Sequence, residues 1–100
     1  MYSSHYVKER IEREKIIQKI GVGQEVATFT IDRHHPNGPE LHTITTTGII
    51  IIRNEYSHKI VTKLIARPGQ IRRYFVEITP EIQKIINIAY LHQKMYYNEI

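Results

Sequence analysis

Apolar and polar positions recur with two different periods along this 100-residue chain, and the switches between them mark its elements. In SSHYVKERIEREKIIQKIG, Val7, Ile11, Ile17 and Ile20 fall near one helical face and Ile16 widens it. Lys8, Glu12, Lys15 and Lys19 face outward. Ser3 or Ser4 can cap this segment, Gly21 can end it, and Glu9 and Arg13 form an i,i+4 pair. The spacing predicts a helix over 4–20. GVG breaks the period, and EVATFTID alternates instead. Ala27, Phe29 and Ile31 point one way and Thr28 and Thr30 the other, as in a strand with one covered face.

RHHPNGPE, with two prolines and no apolar residue, reads as a loop. LHTITT is β-branched and strand-like. Thr47-Gly48 marks either a tight hairpin or a bulge in one long strand. IIIIRN is apolar on both faces, as in a central strand covered on both sides. EYSH is a turn and KIVTKLIA the next strand. Arg67-Pro68-Gly69 signals another turn, and IRRYFVEI reads as a further short strand. TPEIQKIINIAYLHQKMYY predicts a helix over 80–97, capped by Thr79, with Pro80 in its first turn and Glu81 opposing the helix-end charge.

These elements define a single α+β domain over residues 1–100. An N-terminal helix leads into an antiparallel sheet of three to four strands within 25–76, and a long C-terminal helix packs on it. Helices are expected on one face or at one end of the sheet. Ile82, Ile85, Ile86 and Ala89 form the main stripe of the last helix. Ile88, Leu91 and Met95 add apolar surface beyond a single sheet contact, which predicts a partner protein or a homodimer contact there.

Composition narrows the class. Apolar residues make up 41% of the chain, enough for a core, and nineteen of the residues are isoleucine against three alanines. There is no cysteine, so neither a disulfide framework nor a thiolate metal site is available. No apolar run approaches a membrane span and MYSSHYVKER lacks a signal-peptide core, so a soluble, cytoplasmic protein is expected. The net charge of +4 is unevenly spread. From Arg53 to Val76, six basic residues face one acid, Glu55, a local excess that favours a polyanion such as nucleic acid. A solvated basic surface is the equal alternative.

Candidate chemistry begins with the histidines. His34, His35 and His42, with Asp32 and Glu40, match no standard metal spacing, so no metal or other cofactor is expected. Nucleophilic catalysis lacks its parts: there is no cysteine and no G-x-S-x-G. GVGQEV is followed by a strand where a phosphate loop needs a helix. RNA cleavage asks for less. The 2′-hydroxyl is the nucleophile, so the protein need supply only a base, an acid and cations around the phosphorane. His42 or His35 are the candidate acid and base, Arg67 and Arg73 the phosphate contacts, and Thr62 a positioning hydroxyl. Lys59, Lys63, Arg72 and Tyr74 are candidate nucleic-acid contacts, Tyr74 by stacking on a base.

Each has a structural alternative. His34 and His35 read more readily as ordinary loop residues. His42 shares strand parity with Ile44, as a satisfied buried histidine would. Lys63 can snorkel at a sheet edge, and Arg72, Arg73 and Tyr74 can pair with Glu77 or Glu81. Tyr96 and Tyr97 read as packing, and His5, His58 and His92 have no supporting neighbours in sequence.

The stretch PELHTITTTGIIIIRNEYSHKIVTKLIARPGQIRRYF resembles the sheet core of small proteins carried by phages and conjugative elements of low-GC Gram-positive bacteria. More distantly, it resembles the barnase–EndoU–colicin–RelE-like ribonuclease superfamily. The resemblance covers about residues 25 to 76. It implies an N-terminal helical part, a four-stranded antiparallel sheet, and metal-independent cleavage of RNA, as in toxin systems. The positions it matches are His42, Thr62, Arg67 and Arg73. The long apolar C-terminal helix departs from that pattern. Two other classes stay open beside the ribonuclease: a non-catalytic module that docks a protein, and nucleic-acid binding without cleavage.

Overall fold

The structure, a computed structural model, describes residues 4–32 and 38–96, with side chains from residue 10 onward. Ser3, His34, His35 and Tyr97 lie outside the described residues. In chain order the elements are α1 (Ser4–Ile20), β1 (Glu25–Ile31), β2 (Glu40–Thr45), β3 (Ile49–Asn54), β4 (Ile60–Ile65), α2 (Pro68–Tyr74) and α3 (Pro80–Tyr96). The fold is α+β, as the periodicities predict. The strands lie in sequence order and every neighbouring pair is antiparallel, so each connection is a simple hairpin.

Helix α1 stops at Gly21, whose φ of +83° only glycine adopts without strain. Its N–H closes on the Ile17 carbonyl at 2.9 Å. Thr47-Gly48 resolves into a hairpin rather than a bulge. The loop Thr46-Thr47-Gly48 joins β2 to β3, with Gly48 at φ +79° and its N–H donating to Thr45 O at 3.1 Å. Two other elements pin this loop. Thr47 Oγ1 lies 2.8 Å from both the Gly21 and Val22 carbonyls, and His92 Nε2 on α3 donates to Thr47 O at 2.9 Å.

Strand β3 sets the layering. Directly opposed residues share a face, so Ile44, Ile50 and Leu64 form one row and Thr43, Ile51 and Lys63 a row on the reverse face. On the first face Ile44, Ile50 and Ile52 pack with Ile71 of α2 and Ile82, Ile85, Ile86 and Ala89 of α3. On the reverse face Ile49, Ile51 and Ile65 pack with Ile17 of α1, with Ile16 and Ile20 at the margin. Helices therefore cover both faces, not one face or one end as the element order suggests. A strand apolar on both sides leaves no other arrangement, since an open face would hold two isoleucines in water.

The second correction concerns residues 68–74, which form helix α2 rather than a fourth or fifth strand. Pro68 takes the first position, where its missing N–H costs nothing, and Gln70 Oε1 accepts the Arg67 N–H at 2.8 Å. Pro68 and Ile71 are buried and Tyr74 half-buried, a three-residue spacing that outweighs the weak alternation of IRRYF. Thr79 caps α3 as expected, its Oγ1 accepting the Ile82 N–H at 3.3 Å.

Two-sided burial has a direct test in urea unfolding. Ile50→Ala and Ile51→Ala, on opposite faces, should each cost about 2–5 kcal/mol. Ile60→Ala, at a residue 49% exposed, should cost less than about 1 kcal/mol. A neutral Ile51→Ala would mean that α1 does not cover its face.

Candidate functional site

The sheet face beneath α2 and α3 carries a buried histidine among its isoleucines. Phe29, His42 and Ile52 are consecutive cross-strand partners. His42 is 3% exposed, and both ring nitrogens are engaged. Nε2 lies 3.2 Å from Glu40 Oε1, two residues back on the same strand face, and Nδ1 lies 2.6 Å from Tyr74 Oη. Nε2 can donate to the carboxyl oxygen, and Nδ1 shares its hydrogen bond with the tyrosine hydroxyl, so each nitrogen has a partner. Aromatic rings enclose this chain. Phe29 sits 5.4 Å from the Tyr74 ring and meets Phe75 edge-on at 5.2 Å.

The buried, satisfied histidine is thus the arrangement present, and His42 holds no free lone pair for a substrate proton. It instead fixes the end of α2 on the sheet. Tyr74 is half-buried and committed to His42, which leaves it poorly placed as a stacking platform.

Three of the cationic candidates divide between two surface features, Lys63 in one and Arg67 and Arg73 in the other, and His42 lines neither. Thr62 and Lys63 of β4 line a groove of about 370 Å³ whose other wall, on α1, carries Arg10, Arg13 and Glu14. Arg13 Nη2 reaches Thr62 Oγ1 at 3.5 Å, while its Nε is buried with no hydrogen-bond partner. Arg10 Nε sits 3.8 Å from Glu14 Oε1 in an exposed i,i+4 pair, an arrangement that holds neither side chain firmly. Sequence reasoning named Thr62 and Lys63 but missed Arg10 and Arg13. Their signal was there: both are basic and share α1 with the apolar stripe.

Arg67 and Arg73 line the second feature, an open depression of about 510 Å³ between α2 and α3, with Tyr90 and Gln93 opposite. Arg72 is exposed and lies outside it, and Lys59 is exposed just before β4. Arg53, also in the basic tract, is tied into the sheet through Glu25 at 3.4 Å and Thr43 Oγ1 at 3.4 Å. His35 lies outside the described residues. Among the described residues, no three histidine, aspartate or glutamate side chains gather as a metal site would require. None of their helices is long and apolar enough to cross a membrane.

Compared with known proteins, the chain matches no protein-family model, no curated protein and no solved structure.

The buried chain predicts a coupling energy. Tyr74→Phe strips His42 Nδ1 of its partner and should cost about 1–3 kcal/mol in urea unfolding. In a His42→Leu background most of that loss should vanish, because the orphaned ring nitrogen is gone. Strictly additive effects of the two substitutions would show that the 2.6 Å contact contributes nothing.

Proposed function

We propose that this protein binds RNA through the phosphate backbone, without cleaving it, and that the groove between α1 and β4 is the contact surface. One observation carries the reading: Arg10, Arg13 and Lys63 converge on a groove with the Thr62 hydroxyl, against a single carboxylate, Glu14. Guanidinium and ammonium groups supply charge-assisted hydrogen bonds to phosphate oxygens, and a threonine hydroxyl adds a directional donor. The buried Nε of Arg13, unpartnered, is the group that gains most from an incoming oxygen. The resemblance of the sheet core to RNA-acting proteins points to the same ligand class.

Cleavage is supported less well, because His42 is enclosed and both its nitrogens are used. Protein docking through α3 rests on Ile88, Leu91 and Met95, of which Ile88 is half-buried and Leu91 and Met95 are 58% and 66% exposed. Three side chains fall far short of the roughly 800 Å² per partner of a stable interface.

Anisotropy of a short fluorescent single-stranded RNA, titrated across salt concentrations in EDTA, tests this reading. Three cations on the backbone predict a slope of log K on log salt near −2, at about −0.7 per phosphate contacted. Lys63→Ala should flatten it by about 0.7 and weaken affinity at every sequence tried. A flat profile would remove the reading. Release of 2′,3′-cyclic phosphate ends, abolished by His42→Ala, would replace it with the ribonuclease.

A further inference from the structure

The α1–β4 groove can hold a phosphate backbone, but among the described residues no aromatic side chain lines it. The depression between α2 and α3 is built differently. Arg67 stands just before α2 and Arg73 near its end, while Tyr90 and Gln93 stand three residues apart on α3 and so share one face of that helix.

Tyr90 is 49% exposed, with its ring at the edge of the depression instead of in the core. Among the described residues, no carboxylate lines the depression. Gly69 keeps part of the wall low, since a side chain added there would meet nothing within 4 Å.

We infer that this depression is a nucleotide subsite, taking one unpaired base together with its phosphate. The chemistry is complementary at each part of such a ligand. The two guanidiniums match phosphate oxygens in a planar, bidentate manner. The tyrosine ring offers a stacking face to any base. The Gln93 amide offers both a donor and an acceptor to a base edge. The inference deepens the RNA-binding reading and rests on it for its biological sense: one surface grips the backbone and a separate one reads an unstacked nucleotide.

Equilibrium dialysis of the full chain against AMP, adenosine and ribose 5-phosphate separates the two halves of the ligand. AMP should be retained on the order of tenfold more tightly than either fragment. Tyr90→Leu, which keeps an apolar side chain on an exposed helix position, should cut AMP retention by roughly tenfold and leave ribose 5-phosphate unaffected. Arg73→Ala should weaken AMP and ribose 5-phosphate but not adenosine. AMP held no better than ribose 5-phosphate, or a Tyr90→Leu protein that binds AMP normally, overturns the subsite. If that happens while the RNA salt slope persists, the groove reading survives. A flat RNA slope with AMP still retained sinks the groove and leaves the subsite standing.

Discussion

Strand β3 cannot face water on either side. Ile50 and Ile52 are buried against α2 and α3, and Ile49 and Ile51 against α1. Exposing either pair would return two large aliphatic side chains to solvent, at roughly 1.5–3 kcal/mol each. The three-layer arrangement follows from this, since a helix must lie on each face. The hairpin before β3 is held accordingly. Thr47 binds the end of α1 and accepts from His92 of α3, so a single loop registers the helices of both layers.

Sealing both faces leaves little room for chemistry on the sheet itself. The one imidazole that the sheet carries among the described residues is absorbed into packing, between the Glu40 carboxylate and the Tyr74 hydroxyl. Polar groups that line open surface stand at the rims. One rim is the flank of β4, where α1 leaves Thr62 and Lys63 open beside Arg13. The other is the seam of α2 with α3, where Arg67 and Arg73 stand opposite Tyr90. A long helical C-terminus is therefore more than cover for a core, because it contributes the aromatic wall of the second rim.

Much of the fold was legible because strong periodicities rarely conflict with tertiary structure. Gly21 and Thr79 marked real helix ends, and four consecutive isoleucines announced a strand covered twice. Helix α2 was not legible. Its seven residues are too short to show a helical period, and Arg67-Pro68-Gly69 carries turn signals that serve equally to start a helix. The site was half legible. Basic residues of the 53–76 tract could be named from charge alone. Which of them meet could not, because Arg10, Arg13, Tyr90 and Gln93 join them from elements far away in sequence. For His42, strand parity with Ile44 pointed inward. Only the approach of Tyr74, thirty-two residues on, shows both ring nitrogens occupied.

The claim that function lies on the rims and not on the sealed sheet is tested most directly by an amide chemical-shift map of the protein with a short single-stranded RNA. The account predicts saturable shifts around Arg13, Thr62 and Lys63 and around Arg73, Tyr90 and Gln93, with the amides of Glu40 and His42 unmoved. Shifts centred on Glu40, His42 and Tyr74 would contradict it, since the ligand would then have to open the core that the whole arrangement keeps closed.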